Sequence, residues 1–178
     1  MLIALASCTA SEAAPSPTAS NIAAPKGWSV DPALAKTAAA AAAGDKVNVL
    51  GSDAWSDGSR GCYAIWLDLS GGAGPVDAAA DGLIAATTKE LTGVKIRDLQ
   101  KPVVGETGTL AFAFDVYPAP PSGGAASPRK AGLATPYHGK LRAELTKLGE
   151  IRALACLWNQ REPKTCETGC TAMLGAVK

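Results

Sequence analysis

Four cysteines, Cys62, Cys156, Cys166 and Cys170, are the residues of this sequence whose types and spacing suit chemistry best. The fifth cysteine, Cys8, belongs to the N-terminal segment considered below. The four that remain are an even number, which favours two disulfides if the chain is exported. Cys166 and Cys170 lie one helical turn apart, near the largest Cα separation that a bridge tolerates. We therefore expect each to bond to a strand, one to Cys156 and the other to Cys62.

Two other states of these cysteines stay open. Four thiolates could bind zinc in a tetrahedral site, although the C-x-x-C spacing common in such sites is absent here. Unpaired cysteines could also pack in the core as small apolar side chains. Disulfides remain the first expectation, and we predict no metal and no cofactor.

His138 is the only histidine, and the residues around it predict no catalytic site. A serine or cysteine nucleophile would need it as a base, but no G-x-S-x-G motif occurs. His138 follows Pro136 at the start of an edge-like strand, so we expect a solvent-facing side chain. Catalysis by a carboxylate pair is harder to exclude, because four aspartates lie near strand ends and turns: Asp53, Asp57, Asp68 and Asp115. Their spacing singles out no pair, and turn-forming or solvated aspartates are the default.

Two residues are candidates for contact with a partner. Trp55 lies in a turn rich in Ser, Asp and Gly, and Arg161 lies between the last strand and the last helix. Exposed aromatic side chains favour interfaces. We expect the other tryptophans, Trp28, Trp66 and Trp158, to belong to the core.

The elements that must position these residues follow from apolar periodicity. Alternation predicts strands over Cys62 to Leu69 and Thr109 to Tyr117, and a hairpin of Lys140 to Lys147 with Ile151 to Trp158. The last run is apolar on both faces, which indicates a central strand. Short strands are predicted at Val47 to Leu50 and Val94 to Ile96.

Helical spacing predicts a central helix and a C-terminal helix. The central helix begins at Pro75 and ends before Gly93, and the last begins at Pro163 with both of its cysteines facing the sheet. Ala33 to Ala43 is either a short Ala-rich helix or a loop. The order of elements indicates an α+β fold, a mixed and mostly antiparallel sheet of about five to six strands covered by the two helices.

The N-terminus predicts export and a lipid anchor. Leu5-Ala6-Ser7-Cys8 resembles the lipobox of bacterial lipoprotein signal peptides, in which an aliphatic and two small residues precede the acylated cysteine. Residues 1–7 would then be the remnant of a signal peptide. No basic residue precedes Cys8, although signal peptides begin with one, so we expect translation to start upstream of Met1. An ordinary apolar N-terminus with a stray cysteine is the alternative.

We expect residues 8–27 to form a lipidated, flexible tether, because they are rich in Ser, Ala, Pro and Thr. The partners expected are membrane lipid, through Cys8, and a protein of the cell envelope. In bacterial lipoproteins, Asp directly after the acylated cysteine favours retention in the inner membrane. This chain has Thr9 at that position, which favours the outer membrane. The domain would face the periplasm or the exterior.

The charge and the length of the chain limit its possible partners and the number of its domains. With 17 basic and 16 acidic residues and no basic stripe, the sequence excludes nucleic acid as a partner. Residues 28–178 suffice for a single α+β domain with its own core. Within that domain, Pro118 to Pro136 is a long loop rich in Pro, Gly and Ser, and such loops are usually functional or disordered.

Pro25-Lys26-Gly27-Trp28 and the order of elements after it resemble the PsbP-like family, which includes the bacterial lipoprotein DcrB. The resemblance implies accessory, assembly or scaffolding roles. We therefore expect a non-enzymatic binding or assembly module of the cell envelope. The alternatives are an envelope hydrolase that uses the carboxylates near Asp53 to Asp57, and a module that binds a small ligand or a metal.

Overall fold

A computed structural model describes residues 22–43, 47–71, 79–85, 94–102, 107–117, 136–145, 149–160 and 163–177. The strands are β1 (Ser29–Val30), β2 (Asn48–Asp57), β3 (Cys62–Ser70), β4 (Val94–Gln100), β5 (Gly108–Val116), β6 (Tyr137–Leu145) and β7 (Ile151–Asn159). The helices in these ranges are α1 (Pro32–Ala42), α2 (residues 79–85) and α3 (Pro163–Leu174). None of the described helices is long and apolar enough to cross a membrane. Cys8, Arg161 and the predicted loop up to residue 135 lie outside the described residues.

The strands form one sheet of seven in the order β1-β2-β3-β7-β6-β5-β4, and all neighbours are antiparallel. The α+β class is therefore confirmed. The sheet has more strands than the five or six predicted, because β1 contributes only two residues, which are too few to show an alternating pattern. It pairs with the end of β2, where Val30 lies opposite Trp55.

The β6–β7 hairpin confirms the clearest prediction from periodicity. Ile151 pairs with Leu145, and β7 is the fourth of the seven strands, between β3 and β6. A strand in that place has both faces covered, which explains its apolar side chains on each side.

β2 is longer than predicted, and its length corrects the interpretation of Trp55. The polar residues Gly51 to Asp53 and Ser56 to Asp57 continue the strand instead of forming turns. Trp55 lies opposite Ala64 of β3 and is only 4% exposed. It belongs to the core, so its predicted role as an exposed contact is wrong.

Helices pack on both faces of the sheet. α3 covers the face that carries Trp66 and Trp158, and α2 packs on the other face against Phe112 and its neighbours. α1, which the sequence left as helix or loop, is a helix whose N-cap Asp31 accepts a hydrogen bond from Leu34 N–H at 3.0 Å. The side chain of Asp31 also accepts a hydrogen bond from the Ser56 hydroxyl, so the cap ties α1 to β2.

The described N-terminal residues already contact the domain. Ile22 packs against the core under α3, and Pro25 lies close to Gly169 of that helix. Gly169 is a position where an added Cβ would approach Pro25 to 3.2 Å. The polypeptide therefore joins the folded domain before Trp28, the first large apolar residue after the predicted tether.

Two disulfides fasten α3 to the middle of the sheet. Cys62 of β3 bonds to Cys166 with a Cα separation of 5.7 Å, and Cys156 of β7 bonds to Cys170 with a separation of 6.0 Å. Both cysteines of α3 therefore bond outward to strands, as predicted. The zinc alternative has no support, because all four thiols are used in these bonds.

Candidate functional site

One half of the face that carries α3 is polar. α3 packs across β7 and contacts β6, which follows β7 in the sheet. On the same face, the side chains of β6, β5 and β4 lie beside the helix. Directly paired residues of antiparallel strands project to the same side, so the register identifies this set. The polar half-face consists of Lys95, Arg97, Gln100, Thr109, Ala111, Ala113, Asp115, His138, Lys140, Arg142 and Glu144.

Asp115 is the centre of the polar half-face. Its carboxylate is buried, with 9% of the side chain exposed, and it accepts two hydrogen bonds from Arg97. Arg97 Nε lies 2.8 Å from Oδ2, and Nη2 lies 2.9 Å from Oδ1. Nδ1 of His138 lies 2.6 Å from Oδ1. Three charge-assisted contacts therefore compensate the desolvation of one carboxylate.

These contacts keep Asp115 ionised. Burial raises the pKa of this carboxyl. The hydrogen bonds from Arg97 and His138 and their positive charges lower the pKa by more than burial raises it, so that it lies below the usual 3.8. An ionised carboxylate can only accept, so Nδ1 of His138 donates the hydrogen bond. This hydrogen bond fixes the orientation of the imidazole ring.

We expect Asp115 to make the stability of the protein depend on pH in acid. Its folded-state pKa is depressed, so its contribution is fully present above the unfolded-state pKa, about 3.9, and is lost as the pH falls through the folded value. Asp115→Asn should lower the free energy of unfolding by about 1 to 3 kcal/mol at pH 7. The difference from the wild type should shrink toward pH 3, as measured by urea unfolding from pH 7 to pH 3.

The control for this pH experiment is Asp81→Asn, since the Asp81 side chain is 63% exposed and pairs with Lys101 at the surface. The Asp81 variant should follow the wild-type pH profile within about 0.5 kcal/mol. If the Asp115→Asn variant loses the same stability at every pH, the ionised Asp115 carboxylate is not the source of the pH dependence.

Lys140 links the polar half-face to α3. Its Nζ donates a hydrogen bond to Glu167 Oε1 of the helix at 2.8 Å and lies 5.9 Å from the ring centroid of Trp158. The ring of His138 is 6.2 Å from the same tryptophan. Trp158 is buried, as predicted, and marks the border between the core under α3 and the polar half-face.

The other end of the half-face is organised by Glu144. Its Oε1 accepts hydrogen bonds from the Thr109 hydroxyl at 2.8 Å and from Arg142 Nη2 at 3.2 Å. Beyond it, Arg152 lies 3.8 Å from Asp68. Burial raises the pKa of Asp68 despite the opposing positive charge of Arg152.

Asp53 and Asp57, the aspartates of the hydrolase alternative, do not form a carboxylate pair. Asp53 and Asp57 both lie on β2, four residues apart, which separates their Cα atoms by about 13 Å. Glycosidase carboxyl groups, for comparison, lie about 5 to 9.5 Å apart. Asp57 accepts a hydrogen bond from Ser59 at 2.6 Å and pairs with Arg60, so it holds the turn between β2 and β3.

The structure instead brings together Asp115 and His138, two residues that the sequence suggested separately. The edge-like strand predicted for His138 is wrong, because β6 lies between β5 and β7. The side chain is one third exposed and hydrogen-bonded to Asp115, not free in solvent. Sequence reasoning missed Arg97 altogether, and only the pairing of β4 with β5 reveals it.

Among the described residues, no group of three or more His, Cys, Asp or Glu side chains is placed to hold a metal ion. Comparisons with known protein families, with curated proteins and with solved structures found no match to this chain.

Proposed function

We propose that this chain is an exported lipoprotein of the cell envelope, anchored by a lipid on Cys8, whose single α+β domain binds a protein partner. The observation that carries the proposal is the pair of disulfides between α3 and the strands β3 and β7. Disulfides that persist in a folded protein are typical of oxidising compartments outside the cytosol. The lipobox-like Leu5-Ala6-Ser7-Cys8 supplies the route to such a compartment.

The candidate site supports binding better than catalysis. Asp115, Arg97 and His138 form a mutually satisfied cluster, and the Arg97–Asp115 pair is of a kind that often serves structure. The resemblance to the PsbP-like family agrees, because it implies accessory or assembly roles. The hydrolase alternative lacks a carboxylate pair at β2, and a metal module built on the cysteines lacks free thiolates.

Cys8→Ala should release the protein from membranes. The thiol is the atom that would take the diacylglycerol, and each methylene buried in the bilayer contributes about 0.8 kcal/mol, so several acyl chains anchor firmly. Crosslinking and affinity capture of the tagged, full-length protein from native membranes should recover one partner near stoichiometrically. The Cys8→Ala protein should leave the membrane fraction and lose that partner.

The matched control is Thr9→Ala, which changes the neighbouring residue and keeps the thiol. It should remain in the membrane fraction with its partner. Equal membrane retention of the Cys8→Ala protein would refute the anchor, and capture of no specific protein by the wild type would refute the binding function.

A further inference from the structure

The two disulfides of the protein interlace along the chain. In sequence order the cysteines of the domain are Cys62, Cys156, Cys166 and Cys170. The first bonds to the third and the second bonds to the fourth, so neither bond joins neighbours in that order. We call these two bonds the interlaced pairs. The competing arrangement, which we call the consecutive pairs, joins the first cysteine to the second and the third to the fourth.

The order in which the cysteines become available favours the consecutive pairs. A chain that is exported from its N-terminus presents Cys62 and Cys156 to an oxidant before the two cysteines of α3. Cys166 and Cys170 have only three residues between them, whereas the interlaced pairs close loops of 104 and 14 positions. The shorter loop costs less entropy to close. An oxidant that acts on free thiols as they appear therefore forms the consecutive pairs first.

The sheet itself keeps the first consecutive pair within reach. Cys62 lies opposite Trp158, and Cys156 lies opposite Ala64 on the neighbouring strand. The two cysteines are therefore diagonal neighbours on one face of β3 and β7, with Cα atoms about 7 to 8 Å apart. This distance is little more than the separation of about 6.8 Å that a disulfide spans. Before α3 docks, a small shift of the strands is enough to hold Cys62 and Cys156 bonded to each other.

The pairing also decides whether the sulfur atoms are accessible. In the interlaced pairs all four cysteines are 0% exposed, because α3 lies directly on β3 and β7. Sulfur atoms that are not bonded pack at van der Waals distance, well beyond the bond length of about 2.0 Å, so the consecutive pairs hold α3 off the sheet. Their bonds stay open to attack by a thiolate, whereas the interlaced pairs are protected once they have formed. Exchange of disulfides therefore leads toward the interlaced pairs.

We propose that the interlaced pairs form by thiol–disulfide exchange, and that this chain is therefore a substrate of a protein disulfide isomerase in the compartment to which it is exported. An isomerase of this kind carries a reactive thiolate and rearranges disulfides with no net oxidation or reduction. The inference rests on the export that the proposed function includes, and it depends neither on the lipid nor on the partner of the folded domain. It adds a second protein partner, which acts while the chain folds.

The exchange breaks two disulfides and forms two, so the number of thiols does not change. The enzyme thiolate attacks Sγ of Cys166 in the Cys166–Cys170 bond, forms a mixed disulfide with Cys166 and releases the Cys170 thiolate. That thiolate attacks Sγ of Cys156 in the Cys62–Cys156 bond and releases the Cys62 thiolate. The Cys62 thiolate then attacks Sγ of Cys166 in the mixed disulfide, which completes the interlaced pairs and regenerates the enzyme thiolate. The oxidation that first makes the consecutive pairs belongs to a separate dithiol–disulfide oxidase.

The test follows the pairing while the reduced, urea-unfolded full-length protein is diluted into buffer with a dithiol–disulfide oxidase and no small thiol. Every sample carries Cys8→Ala, because a free thiol at that position would join the exchange. Digestion without reductant, including cleavage after Glu167 to separate Cys166 from Cys170, lets mass spectrometry measure each pair. We expect the oxidase alone to give mostly the consecutive pairs. A catalytic amount of reduced protein disulfide isomerase, added after the oxidase is removed, should raise the fraction of the interlaced pairs about threefold or more.

Two variants with a single possible bond are the controls. Cys62→Ala/Cys166→Ala and Cys156→Ala/Cys170→Ala each keep two cysteines of the domain, so no second pair exists with which to exchange. The oxidase alone should form the remaining bond in both, and the isomerase should leave its yield unchanged. The measured quantity is the bond itself, so these controls report even where a variant does not fold.

Two results would overturn the inference. If the oxidase alone gives the interlaced pairs in the same fraction as the oxidase followed by the isomerase, folding directs the bonds and no isomerase is needed. If other pairs persist after the isomerase is added, the enzyme does not act on this chain. Neither result touches the proposed function, because the test involves no membrane and no partner of the folded domain. Conversely, a failure to capture a partner from membranes would refute the binding function and leave this inference standing.

Discussion

Replacing Cys62 and Cys166 together with alanine is expected to lower the free energy of unfolding by about 3 to 5 kcal/mol. The bond joins residues 104 positions apart, so its loss returns a large conformational entropy to the unfolded chain. It also frees α3 from β3 in the middle of the core. Urea unfolding of the full-length protein, without reductant, measures the change.

The second bridge is a matched control. Cys156→Ala/Cys170→Ala also removes a pair of fully buried cysteines that ties α3 to the sheet, but its loop is only 14 positions long. The two variants should therefore lose similar packing energy. Because the shorter loop restricts the unfolded chain less, we expect Cys156→Ala/Cys170→Ala to be more stable than the first variant by about 2 kcal/mol. Equal losses in the two variants would show that loop length does not decide the effect.

Gly139→Ala is the second change for which we expect a large effect, about 3 kcal/mol of lost stability. Gly139 of β6 lies directly opposite Phe114 of β5, and a Cβ at position 139 would overlap carbons of the phenylalanine ring. Phe114 is 1% exposed and packed among the core residues under α2, so the ring has little room to move. The measurement is the midpoint of thermal or urea unfolding.

Gly58→Ala is the control for Gly139→Ala, because an added Cβ there meets no atom within 4 Å. It should change stability by no more than about 0.5 kcal/mol. The double variant Gly139→Ala/Phe114→Leu should recover part of the loss, because the smaller side chain makes room for the new methyl group. A double variant that only adds the two losses would refute this steric explanation.

The Gly139–Phe114 contact shows which part of the core the sequence leaves unspecified. Alternation in β5 places Phe114 on the same side of the strand as Leu110, Phe112 and Val116, and all four side chains are buried. The glycine in β6 carries no such signal, because it has no side chain to alternate. Its role appears only when the register places it against an aromatic ring.

β2 illustrates the limit of reading polar residues as turns. Gly51, Ser52 and Asp53 have low strand propensity, yet they continue a strand because β3 pairs with them along its length. Local propensity therefore places Trp55 in an exposed turn, whereas pairing with β3 buries it. Pairing to a neighbour overrides a local preference, and the neighbour is not visible in the segment itself.

The polar half-face illustrates the same limit for a site. Asp115 and His138 are separated by a segment that lies largely outside the described residues, and Arg97 comes from a third strand. Each residue alone looks like an ordinary surface side chain. Their contacts depend on the order β6-β5-β4 and on the register within it, which no local pattern encodes.

The sequence by itself determined the α+β class, the β6–β7 hairpin, the central place of β7 and the outward bonding of both cysteines of α3. Each of these follows from a periodicity of two or of 3.6 residues, which acts within one element and its immediate neighbour in the chain. Only the tertiary structure decided the burial of Trp55, the partners of Asp115 and the arrangement of the polar half-face beside α3. These features depend on contacts between strands that are distant in sequence. The pairing of those strands is set by the burial of both faces of the sheet.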